Sequence, residues 1–176
     1  MSPFFLPALK ARLLADLADF RLEGRGSSPC RQDGGQPRSA TGRHPDRSVQ
    51  IFIGDVPPKK RRPGDAEALD DPFPCVVLIP LSGQADGGED AVTVALVCGV
   101  YCGEEGDAEG AETTLALLLS RIRQSLAPCL KTPLERRYRL TEDAKGRLFP
   151  WEKSDMQPHP YIQATVMTHW RMKGLE

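Results

Sequence analysis

Residues 91–102, AVTVALVCGVYC, decide the fold. The even positions Val92, Val94, Leu96, Cys98, Val100 and Cys102 are all apolar, while the odd positions Thr93, Ala95, Val97, Gly99 and Tyr101 are small or amphipathic. Successive side chains of a strand point to opposite faces, so this period of two describes a β-strand with one core face. The other face is half apolar. It suits a moderately solvated sheet surface, and equally a surface that accepts another layer or a neighbouring subunit.

Upstream of this strand, VQIFI (49–53) alternates with Val49, Ile51 and Ile53 on one side, and PCVVLIPL (74–81) is a short, nearly continuous apolar run; both are expected strands. Downstream, the acidic GEEGDAEGAE leads into a segment where Leu115, Leu118, Leu119, Ile122 and Leu126 follow helical spacing. Asp107, Glu109 and Glu112 suit the positive end of that helix dipole, and Pro128 terminates it. LERRYRL (134–140) and HPYIQATVMTHWRM (159–172) are two further expected strands. At the N-terminus Leu6, Leu9, Leu13, Leu14 and Leu17 predict an amphipathic helix over about 6–20, with Pro7 in its first turn. The order α, three β, α, two β predicts a single α+β domain over 1–176, a mixed and mostly antiparallel sheet carrying both helices on one face. Residues 22–48 are dense in Gly, Pro, Ser and Arg with almost no apolar side chains, and are expected to form a flexible polar insertion.

The chain has 176 residues, enough for one domain with a sizeable core. Lys and Arg total 23 against 24 Asp and Glu, so no overall basic field holds a phosphate backbone nonspecifically. Five cysteines are an odd number, and three lie in apolar runs where small buried hydrophobes belong. A disulfide framework is therefore not expected, and neither is a secretory signal or a membrane helix: Lys10, Arg12 and Asp16 interrupt the N-terminal segment and no apolar run reaches about 20 residues. The expected setting is soluble, intracellular and reducing.

No catalytic, cofactor or metal site is expected. The glycine-rich stretches GSSPCRQDGG and SGQADGGED lack the Gly-Lys-Ser/Thr ending of a phosphate loop. Cys98 and Cys102 share a strand face but stand about 13 Å apart at roughly 3.3 Å per residue, too far to ligate one metal. His44, His159 and His169 are scattered, as expected of solvated or structural histidines. A cysteine nucleophile remains a third possibility with no local signature behind it. Trp151 and Trp170 fit interface anchors and ordinary packing equally well.

The ordered segments then resemble a known family. An N-terminal helix, a strand ending in IGDVPP, then DPFPCVVLIPLSG, VTVALVCGVYC, an acidic turn into LALLLSRIRQSL and a closing YIQATVMTHW are similar to the tail terminator, or tail completion, proteins of long-tailed bacteriophages and their prophage copies. The resemblance covers about residues 1–20 and 49–172. It rests on the strand from Phe73 to Pro80, the strand from Val92 to Tyr101 and the aromatic final strand near Trp170, with no catalytic motif. It implies an α+β subunit that closes a ring, a hexamer, on the last ring of tail-tube protein. That ring stops polymerisation and offers a docking surface to the head–tail connector, so the expected location is the virion neck. A subunit that stays monomeric until it meets the tube is compatible with this. The 22–48 insertion departs from the pattern, and related neck and minor tail proteins share much of the element order.

The basic run PPKKRRP (57–63) lies in the connection between the first two strands and is followed by acids from Asp65 to Asp71. A nuclear address is the weakest reading of these letters. The preferred one is a solvated loop in which Lys59, Lys60, Arg61 and Arg62 pair with an acidic ring of the partner. The alternative function is a nucleic-acid-associated protein using loops 22–48 and 59–62, which predicts steeply salt-dependent DNA binding.

Overall fold

The computed structural model describes residues 2–20, 48–56, 73–86, 88–101, 108–153, 155, 157 and 161–173. Their order is α1 (Phe5–Asp16), β1 (Gln50–Ile53), β2 (Cys75–Asp86), β3 (Glu89–Tyr101), α2 (Ala108–Leu126), a 3₁₀ turn (Ala127–Leu130), β4 (Tyr138–Thr141), β5 (Trp151–Lys153) and β6 (Tyr161–Lys173). The strands form one sheet in the order β1-β2-β3-β6-β4, with β5 also paired to β6. Only β1 and β2 run parallel; the other pairs are antiparallel. The expected α+β architecture is the one observed.

Alternation along β3 gives the fold its polarity. Val92, Val94, Leu96, Cys98 and Val100 are buried in one cluster with Leu9 and Leu13 of α1 and Leu115, Leu118, Ile122 and Leu126 of α2. Both helices therefore sit on a single face of the sheet. Burying a Leu or Ile side chain there contributes about 1.5–3 kcal/mol, so the leucine stripes hold the helices down far more strongly than helix propensity does. Phe5 anchors the start of α1 against Tyr138 and Trp170, at ring separations of 5.0 and 5.3 Å.

Where the two helices meet, a polar clasp closes the layer. The Ser125 hydroxyl, buried beneath α1, donates to Asp16 Oδ2 at 2.6 Å. Arg12 Nε pairs with the same oxygen at 2.8 Å, and its Nη2 reaches the Ser125 carbonyl at 3.4 Å. A cation on the last turn of α2 complements the negative end of that helix.

Several boundaries differ from the sequence expectation; α1, expected to run to about residue 20, ends at Asp16. The strand expected over 134–140 begins only at Tyr138, because Glu135 and Arg136 adopt φ of 49° and 60° and turn the chain back on itself. The expected strand 74–81 continues to Asp86 as one arm of a long hairpin with β3. Within that arm the register shifts between Pro80 and Ser82, a β-bulge at Leu81. Between the expected strands 134–140 and 159–172 lies a further strand, β5. Its preceding turn is tied by Asp143, whose carboxylate accepts the backbone N–H groups of Lys145 and Arg147 and the Arg147 Nε, each at 2.8 Å. The Arg147 backbone N–H is the largest of the influences that hold this carboxyl below its usual range. The expected insertion 22–48 lies outside the described residues except for Ser48.

Candidate functional site

The sheet face turned away from the helices is graded from one end to the other. Pairing register lines up its side chains in rows across the strands: Phe52, Val77, Val97 and Thr165 in one, and Ile79, Ala95 and Met167 in the next. Further along, on the far side of the bulge, the row is Ser82, Thr93, His169 and Thr141. At the opposite end the Phe73 ring covers Gly99 and stacks on Tyr161 at 4.2 Å and 17°, with Tyr101 tilted beside it at 5.7 Å. An aromatic end, an aliphatic middle and a hydrogen-bonding end thus share one surface. The half-apolar odd face expected for β3 is this surface, and among the described residues neither helix packs on it.

The polar end is concave. A recess of about 340 Å³ is walled by Ser82, Gln84, Thr93, His169 and Arg171 on the sheet and by residues 141–144 beside it. His169 Nδ1 lies 3.1 Å from Thr93 Oγ1, and the Thr141 hydroxyl donates to the His169 carbonyl at 3.3 Å. Arg171 stands 3.8 Å from Glu89. Such a lining presents donors and acceptors to an incoming polar side chain or backbone.

The sheet also ends in two exposed apolar side chains. Ile53 at the end of β1 is 40 % exposed, and Trp151 at the start of β5 is 57 % exposed. Lys153, two residues beyond Trp151, forms an ion pair with Glu112 of α2. Trp151, singled out from sequence as an interface anchor, therefore stands free on an edge. Trp170 does not: it is 1 % exposed in the core, its indole N–H donates to Thr168 Oγ1 at 3.0 Å, and that hydroxyl donates to the Val94 carbonyl at 3.0 Å. Its ring offers no surface to a partner. Lys59, Lys60, Arg61 and Arg62 lie outside the described residues.

Of the cysteines, Cys98 is fully buried and its thiol is pushed far above the usual range by desolvation; burial raises Cys129 as well. Neither is poised as a thiolate nucleophile. Among the described residues no group of three or more His, Cys, Asp or Glu side chains could hold a metal ion, and no helix is long and apolar enough to cross a membrane. Sequence reasoning missed Ile53 as a surface residue, because its alternation with Ile51 marks it as core; only its place at the end of an edge strand exposes it. No family model matches the chain, and no curated protein matches it.

Proposed function

We propose that this chain is a structural subunit of a long-tailed bacteriophage or prophage neck, and that it caps the tail tube as a ring, stops tube polymerisation and helps join tail to head. The observation that carries the reading is the graded sheet face. A subunit whose purpose is to be gripped needs a broad surface with apolar area at its centre and hydrogen-bonding groups at its rim, and the face from Phe52 to Arg171 has that composition. Supporting it, the segments that resemble tail terminators, ending in IGDVPP, PFPCVVLIPLSG, VTVALVCGVYC and YIQATVMTHW, are β1, β2, β3 and β6, consecutive neighbours in the sheet. A ring requires one contact repeated head to tail and closed by rotation. In this reading the partners are further copies, the tail-tube protein and the connector, and the role involves no reaction of its own.

The test uses tail-tube protein from the same genome, elongating in the presence of the purified chain. Elongation is expected to arrest, with the chain seen as a ring at one tube end. Tubes that grow at an unchanged rate with bare ends would overturn the reading. Within it, reversing the charges of Lys59, Lys60, Arg61 and Arg62 to glutamate is expected to abolish joining of tails to heads while leaving circular dichroism unchanged. Joining at the wild-type level would remove those residues from the docking surface.

A further inference from the structure

Pairing register places Ile53, Leu78, Leu96, Val166 and Trp151 in a single row across the sheet. The first and last members of that row are the exposed ones, so two large apolar side chains stand at the same height on opposite edges. Both lie on the helix side, directly opposite Leu78 and Val166 respectively. Backbone polarity matches as well. The Gln50 N–H donates to the Pro74 carbonyl and the Gly54 N–H to the Leu78 carbonyl, both at 2.9 Å, so the even residues of β1 face β2 and the N–H and C=O groups of Ile51 and Ile53 point outward. The Met167 N–H donates to the Pro150 carbonyl at 2.8 Å, so Pro150 and Glu152 face β6 and the backbone of Trp151 and Lys153 points outward. Among the described residues no strand occupies either outer edge.

The directions complete the match. β1 runs parallel to β2, β2 and β6 are each antiparallel to β3, and β5 is antiparallel to β6. Hence β1 and β5 run in opposite senses. From this geometry we infer that the subunits associate by edge pairing between copies: β1 of one copy adds antiparallel to β5 of the next, with Ile53 opposite Trp151 and Ile51 opposite Lys153. Each of these pairs exchanges both N–H···O bonds, as hydrogen-bonded pairs of an antiparallel ladder do. The aromatic–aliphatic pair excludes water from the joint. An exposed edge is a template for another strand, and here the molecule carries its own complement on the far side. Because the two edges share one row, the contact repeats without axial displacement. A heterologous contact closes into a ring when it has no rise and its rotation divides a full turn, and otherwise makes a filament; the shared row supplies the first condition. The inference rests on the ring reading above and names the contact that would build it.

Cross-linking tests it on the full chain. Cys30 and Cys102 are replaced by serine, the buried Cys75, Cys98 and Cys129 are kept, and Ile53→Cys and Trp151→Cys are made separately and then together. The two single variants are mixed at millimolar subunit concentration and oxidised, and linked peptides are identified by mass spectrometry. A link between positions 53 and 151 is expected at least about tenfold above any link formed by either variant alone, since antiparallel hydrogen-bonded pairs lie at about 5.5 Å between Cα atoms, within disulfide reach. The double variant is expected to give a ladder ending in a closed species. Links dominated by 53–53 or 151–151 would show a two-fold contact and overturn the inference, as would no link at all. The tube assay separates this result from the ring reading. Arrested tubes without the 53–151 link leave the ring and remove this joint; the link with freely growing tubes leaves the joint and removes the tail function.

Discussion

Replacing Trp170 with alanine is expected to cost about 3–5 kcal/mol of folding stability, the range for deleting a large buried aromatic. That is a large share of the roughly 5–15 kcal/mol that a domain of this kind has to lose. Three elements meet at this side chain. It extends from β6 into the core, Phe5 of α1 packs edge-on against it at 5.3 Å, and its N–H satisfies the Thr168 hydroxyl, which is itself buried. Without the indole, Phe5 loses one of its aromatic neighbours and, among the described residues, keeps Tyr138. The start of α1 should then loosen from the sheet before the rest of the core does. Urea denaturation followed by far-UV circular dichroism gives the free energy, and amide exchange over residues 5–16 reports the local loosening. Trp170→Phe keeps most of the volume and should recover more than half of the loss. A cost below about 1 kcal/mol for the alanine variant would mean that the ring is not the keystone of this corner.

Gly99→Val should be damaging as well, though less so, and it sets two rules against each other. Glycine inside a strand costs about 0.5–1 kcal/mol relative to alanine, and valine is a favoured strand residue, so strand propensity predicts a more stable protein. Packing predicts the opposite. A Cβ at residue 99 would sit 2.9 Å from Phe73 Cδ1 and closer still to Cε1, and the Phe73 ring is stacked on Tyr161 at 4.2 Å. Overpacking of this kind typically costs about 1–3 kcal/mol, which exceeds the propensity gain. The expected outcome is net destabilisation with an altered near-UV aromatic signal. Because the clash is with one ring, Phe73→Ala should relieve it, and the double variant should lose less than the sum of the two single ones. A stabilised Gly99→Val protein would show that the ring yields freely and that glycine there is incidental.

These two positions also mark what could be read from sequence and what could not. The alternation of β3 and β6 and the leucine spacing of α2 are local periodicities, and each produced the element it predicts. The reason for Gly99 is non-local: the ring that excludes a side chain comes from residue 73, before β2. Strand β5 is legible only through its partner. Trp-Glu-Lys after a proline carries little strand signal, and the segment is extended because an open stretch of β6 at Ala164–Val166 is there to pair with it. In the same way Ser82–Asp86, composed like a turn, is held extended by Glu89–Thr93. Glu135 and Arg136 take positive φ without glycine or asparagine to announce it. The candidate edge contact was hidden for the deepest reason. Ile53 and Trp151 lie nearly a hundred residues apart, and only strand order and register bring them to one height.

The bulge at Leu81 acts on the hairpin as a change of reading frame. Up to Ile79 the odd residues of β2 share the surface of Val97; from Ser82 onward the even ones do, so Ser82 and Gln84 take their places beside Thr93 and Ala91. Were Leu81 itself paired opposite Thr93, with no letter changed, the arm would be transposed, sending both polar side chains to the helix side and bringing Gly83 and Ala85 out in their stead. The recess at that end of the sheet would lose its wall without the substitution of any residue that lines it. At this point in the chain, pairing outranks chemistry.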